Sequence, residues 1–91
     1  MKKKIDNKGF VKFQYFEETT RSKVKRGILT DRLADLGIRN IYDTFRSLWF
    51  SKDPQKAFNY AYDICDYSGC EYSDFLDCFC VKMWYFKLII H

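Results

Sequence analysis

Histidine is almost missing from this chain. The only one is His91, the last residue, where order is least expected. That leaves no imidazole for an interior site, so neither a Ser/His/Asp nor a Cys/His arrangement can be assembled. The four glycines are scattered, and none belongs to a phosphate-cradling loop. Helix-turn-helix, zinc-finger and RNA-recognition signatures are also missing. Nor is there a long apolar run. The most apolar stretch, CFCVKMWYFKLII at 78–90, is interrupted by Lys82 and Lys87. It is shorter than the roughly 20 residues a membrane helix needs, so it reads as core and no membrane partner is expected. Lys2, Lys3 and Lys4 resemble the start of a signal peptide, but IDNKGFVKFQYF is no apolar continuation. With nothing to indicate export, the expected location is cytoplasmic.

Alanine, glycine and proline are scarce, while Lys, Phe, Tyr, Ile and Asp are plentiful. That bias suggests an AT-rich genome, as in many bacteriophages. No internal repeat, low-complexity tract or long linker divides the 91 residues, so one small domain is expected. Nine Phe, seven Tyr and two Trp are more than one small core needs. Some rings should therefore lie at the surface, where aromatics are favoured in docking or base stacking.

The net charge of +4 conceals a segregation. Residues 1–30 hold nine Lys/Arg against three Asp/Glu, whereas residues 63–80 hold five acids and no cation. Within the basic front, TTRSKVKRGILT at 19–30 has four cations and no acid. Either this front faces an outside polyanion, or the two ends neutralise each other across the fold. Exposed ion pairs contribute only about 0–1 kcal/mol each, which makes stability alone a poor reason for such blocks and favours the polyanion.

The expected fold class is α+β: an N-terminal β-hairpin over residues 1–18, a basic segment over 19–30, and a mainly helical remainder over 31–91. Asp6-Asn7-Lys8-Gly9 has turn chemistry, and residues 10–16 alternate, with Val11, Phe13 and Tyr15 on one face. Thr19 or Thr20 is placed to cap the next element. A helix is expected near Thr30–Leu36, stopped by Gly37. Ile38, Ile41, Tyr42, Phe45, Leu48 and Trp49 form the stripe of a strong amphipathic helix over 38–50. Asp53 and Pro54 start another, with Ala57, Phe58, Ala61, Ile64 and Cys65 as its stripe. Ser68 to Glu71 has the form of a capping box for a last helix carrying Leu76, Phe79, Cys80, Met83 and Lys87 on one face. The tail 81–90 fits either a continuation of that helix or a strand. A lone hairpin is marginal, so it must cover helices, gain a strand or dimerise.

Four constellations carry chemistry. Arg21, Lys23, Lys25 and Arg26, helped by Lys2, Lys3, Lys4 and Lys12, are placed to meet phosphates, with Phe10 and Phe16 to stack on bases. RNA is favoured over DNA because its unpaired bases are free to stack. Cys65, Cys70, Cys78 and Cys80 are spaced C-x4-C-x7-C-x-C. On one helix Cys78 and Cys80 would diverge by about 200°, so reduced thiols are favoured over zinc or disulfides. Glu71, Asp74 and Asp77 share one helical side with no cation at i+3 or i+4, a surface for Mg²⁺ or for a basic protein. Glu17 or Glu18 as general base, with Arg or Lys as stabiliser, is the most a ribonuclease would find here. The leading expectation is a small non-catalytic RNA-binding accessory protein of a phage or mobile element, neutralising a host factor and needing no cofactor. A protein–protein inhibitor or adaptor, docking a host protein through the acidic face and exposed aromatics, is the alternative. A small ribonuclease comes third.

Overall fold

The computed structural model describes residues 5–6 and 10–81. Among the described residues, strand is confined to β1 (Ile5–Asp6) and β2 (Phe10–Val11), which run antiparallel with Ile5 opposite Val11 and Asp6 opposite Phe10. Two residue pairs are too few to make a layer. Five helices follow: α1 (Phe13–Lys25), α2 (Arg32–Leu36), α3 (Ile38–Trp49), α4 (Gln55–Ser68) and α5 (Tyr72–Asp77). The expected α+β fold built on an N-terminal hairpin is thus corrected to a mainly helical one.

The correction turns on residues 13–18. Over the seven residues 10–16 the apolar pattern fits a period of two. Extended to Lys25 it fits a helix, because Phe13, Phe16, Thr20 and Val24 recur at spacings of three and four. Side chains one turn apart reinforce that choice: Gln14 Nε2 donates to Glu18 at 3.3 Å, and Arg21 pairs with Glu17 at 3.4 Å. Thr19 and Thr20 are therefore interior to α1 and cap nothing, and Thr20 is buried. The expected basic segment is split between the last turns of α1 and the loop behind it. Gly27, at φ +80°, stops α1. The Ile28 N–H donates to the Lys23 carbonyl at 2.8 Å and the Gly27 N–H to that of Val24 at 3.0 Å, the paired bonds of a Schellman cap.

The middle of the chain folds as its stripes predict. In α3, Ile38, Ile41, Tyr42, Phe45 and Trp49 are buried. In α4 they are Ala57, Phe58, Ala61 and Cys65, joined by Ser68. Asp53 Oδ1 accepts from the Gln55 N–H at 3.2 Å, satisfying one orphan donor at the start of α4. The capping box does not form. Ser68 is the last residue of α4, Gly69 ends that helix in the left-handed region, and Glu71 precedes α5 without a side-chain cap. α5 closes through a second Schellman pair, Cys80 N–H to Asp77 at 3.1 Å and Val81 N–H to Leu76 at 3.4 Å. This puts the non-glycine Cys80 at φ +59°. Met83, Lys87 and the choice between helix and strand for the tail lie outside the described residues.

Aromatic rings hold the helices together. Phe79 is the hub: its ring stacks on Phe45 at 3.9 Å and on Phe16 at 4.4 Å, and meets Phe75 edge-on at 5.3 Å. Phe10 joins the same cluster, 5.9 Å from Phe45 and 5.7 Å from Phe79. Trp49 meets Phe58 edge-on at 5.5 Å, linking α3 to α4. Tyr42 anchors the strand end by donating its hydroxyl to the Val11 carbonyl at 2.8 Å. Among the described residues no helix is long and apolar enough to cross a membrane.

Candidate functional site

The expected nucleic-acid surface is only partly assembled. Phe10 and Phe16 are fully buried, which corrects their assignment as base-stacking rings: both faces are covered by the core. Lys2, Lys3 and Lys4 lie outside the described residues. Lys12 is exposed just before α1. Arg21 is exposed and pairs with Glu17 one turn back. Lys23 turns inward: its ammonium donates to the Asp74 carbonyl at 2.9 Å and lies 3.6 Å from the Asp77 carboxylate, with the lysine side chain only 12% exposed. That bond also serves α5, because the Cys78 N–H that would complete the α-helical ladder at Asp74 goes to Phe75 instead. Of the four cations in the run, Lys25 and Arg26 remain exposed, and no side-chain hydrogen bond or ion pair holds them among the described residues.

The same contact alters the expected acidic stripe. Asp77 faces Lys23 and Asp74 is half-buried, so Glu71 alone of the three is exposed. The neutralising partner comes from α1, across the fold, where a search along the helix at i+3 and i+4 could not find it. Among the described residues no three His, Cys, Asp or Glu side chains converge as a metal site would require. The four cysteines are thiols. Burial pushes Cys65 and Cys70 above their usual range, and Cys78 up to about 11. For the ribonuclease reading, Glu17 is paired with Arg21. Glu18 shares a shallow depression with Tyr15, Thr19, Ser22 and Arg26.

Another surface stands out on α4. At 100° per residue, Asn59, Tyr62, Asp63, Asp66 and Tyr67 fall on one arc of about 140°, opposite the buried stripe. Tyr62 and Tyr67 are 63% and 60% exposed, more than any other large hydrophobic side chain among the described residues. Asp63 and Asp66 stand beside them, also exposed. From Ala57 to Val81 the sequence holds no Lys or Arg. Arg32, from α2, touches the edge of this surface, donating to the Tyr67 carbonyl at 3.4 Å. Tyr72 extends it: its ring meets Tyr62 edge-on at 5.8 Å, and its hydroxyl donates to the Phe58 carbonyl at 3.0 Å. Between them opens a cleft of about 260 Å³, lined by Tyr62, Cys65, Asp66, Gly69, Cys70 and Tyr72.

Sequence reasoning concentrated on Glu71, Asp74 and Asp77 and passed over this face. Its signal was present in the four-residue step from Tyr62 to Asp66 and from Asp63 to Tyr67 on the polar side of a correctly placed stripe. The chain stands apart in the comparisons with known proteins: no family model, curated protein or solved structure matches it.

Proposed function

We propose that this protein is a non-catalytic binding module that docks a cationic protein surface on the outer face of α4. One observation carries the proposal. Tyr62 and Tyr67, the most exposed large hydrophobic side chains described, stand beside Asp63 and Asp66 on α4, in a stretch of sequence that holds no cation from Ala57 to Val81. Tyrosine supplies large contact area at low entropic cost and is enriched at the centres of interfaces. Clustered carboxylates around it steer a basic partner and discourage an acidic one. Within the 19–30 run, Lys25 and Arg26 are the described cations whose side chains are exposed and unpaired, and Phe10, Phe16 and Lys23 belong to the interior, which narrows the footing that run gives RNA. Two single-strand phosphate contacts would give a log–log salt slope of only about −1.4.

The test is copurification in low salt with the full chain as bait. The wild type is compared with Tyr62→Ala/Tyr67→Ala and with Asp63→Lys/Asp66→Lys, each checked for an unchanged circular-dichroism spectrum. A saturable basic polypeptide captured by the wild type and lost from both variants supports the proposal. Capture that survives both variants removes it. So does nuclease-sensitive absorbance at 260 nm that is lost only when Lys25 and Arg26 are reversed.

A further inference from the structure

The cleft beneath Tyr62 and Tyr72 contains two thiols, and the backbone holds them together. Cys65 lies one turn before the end of α4, and Cys70 is the second residue after it. The Cys65 carbonyl accepts from the Gly69 N–H at 2.7 Å and from the Cys70 N–H at 3.2 Å. The second bond is the six-residue closure of a Schellman cap, made possible by Gly69 at φ +74°. In that cap the side chains of these two positions normally meet in an apolar contact. Here both are cysteines, and both line one open cleft. A disulfide needs Cα atoms roughly 4.4–6.8 Å apart, and the six-residue closure is what draws these two backbones together. Cys70 is half-buried and faces the cleft, while Cys65 is buried behind it. Cys78 and Cys80 lack this arrangement: Cys78 is fully buried and its thiol donates to the Asp74 carbonyl at 3.8 Å.

We infer that Cys65 and Cys70 are a reversible dithiol–disulfide pair, with Cys70 as the attacking and Cys65 as the resolving thiol. The oxidant is a small-molecule disulfide such as oxidised glutathione. The Cys70 thiolate attacks one sulfur of the oxidant and expels one glutathione thiolate, leaving a mixed disulfide on Cys70. Cys65, once deprotonated, attacks the Cys70 sulfur and expels the second glutathione thiolate. The protons of the two cysteines end on the two glutathiones. Two electrons pass from the protein to the oxidant. The resulting bond staples the C-terminal cap of α4 alongside the two backbone hydrogen bonds at the Cys65 carbonyl. Nothing in this pairing depends on which macromolecule, if any, docks on the neighbouring tyrosines.

The experiment treats the reduced full-length protein with oxidised glutathione, quenches exchange with acid, blocks remaining thiols with N-ethylmaleimide in denaturant so that buried Cys65 and Cys78 are also reached, and reads intact mass and chymotryptic peptides. Cleavage after Tyr67 separates the two cysteines, so their disulfide joins two peptides. The expected product has lost two hydrogens, carries two maleimides on Cys78 and Cys80, and shows the Cys65–Cys70 cross-link. Cys70→Ser abolishes it, and reduced glutathione reverses it. Below the thiol pKa the rate rises roughly tenfold per pH unit, following the thiolate fraction. Four maleimides after prolonged oxidation would overturn the inference. A glutathione adduct on Cys70 that never resolves, or a cross-link that maps to Cys78 or Cys80, would do so too. Cys70→Ser replaces a half-buried thiol, and a native circular-dichroism spectrum confirms that loss of the cross-link is not loss of the fold.

Discussion

Lys23→Met removes an ammonium from beside α5 while keeping an apolar stem of similar length. The wild-type lysine is 12% exposed and donates to the Asp74 carbonyl at 2.9 Å. Without it that carbonyl loses a charged donor and keeps only the weak Cys78 thiol at 3.8 Å, since the α-helical ladder supplies none, a deficit of about 1–3 kcal/mol. Asp77 adds little: its side chain is 38% exposed and at 3.6 Å, so water can replace the lysine, and the pair contributes at most about 1 kcal/mol. The expected loss is therefore about 2 kcal/mol. At a urea m-value of about 1–2 kcal/mol/M, the midpoint falls by about 1–2 M. Asp77→Asn should lose less than half as much. Lys25→Met and Arg26→Met, on the exposed side, should stay within about 0.5 kcal/mol of wild type. The assay is equilibrium urea unfolding followed by tryptophan fluorescence. A Lys23→Met midpoint indistinguishable from wild type, with an unchanged m-value, would refute the reasoning and return Lys23 to the cations available for an outside polyanion.

Three further outcomes are expected from the core and the caps. Phe79→Ala removes the ring on which Phe16, Phe45 and Phe75 converge, at a cost of about 3–5 kcal/mol. That is a large share of the total for a domain this size, so thermal melting should be lowered steeply or lost. Gly27→Ala meets nothing within 4 Å, so its cost of about 1 kcal/mol is purely that of a positive φ, whereas Cys80→Gly should gain up to about 1 kcal/mol by relieving the φ of +59°. Stability should fall with alkali. Burial raises Cys65, Cys70, Cys78, Tyr15 and Tyr60 in the fold, so the unfolded chain loses those protons first. The contribution of Cys78 is whole below about pH 9 and lost as pH approaches about 11. Urea midpoints from pH 7 to 11 check the sign, and Cys78→Ala should flatten part of the slope.

The legibility of each element depended on the length of pattern available. α3 and α4 were legible because Ile38–Trp49 and Ala57–Cys65 repeat their apolar step over about two and a half turns or more, leaving one period that fits. Phe10 to Phe16 offered seven residues, in which periods of two and 3.6 both place rings on a face, and β-favouring Phe, Val and Tyr tipped the choice the wrong way. Continuing the count through Thr20 and Val24 would have favoured a helix. The basic run misled for a different reason. Local spacing shows that Arg21 can reach Glu17, but the Lys23–Asp74 contact spans 51 positions, and no local rule reaches that far. Ser68 and Glu71 matched a capping box by residue type. Gly69 between them, free to adopt a left-handed turn, ended one helix there instead of starting the next. On α4 the buried stripe was legible, and the face opposite it was specified by the same residues.

The most direct measurement is a ¹⁵N chemical-shift titration of the full chain at physiological salt, with a lysine- and arginine-rich helical peptide in one series and single-stranded RNA in the other. With the peptide, saturable shifts should centre on Asn59 to Tyr72 and vanish in Tyr62→Ala/Tyr67→Ala, which keeps every carboxylate. Shifts that persist in that variant, or that appear only with RNA and centre on Arg21 to Arg26, would contradict the proposed docking face.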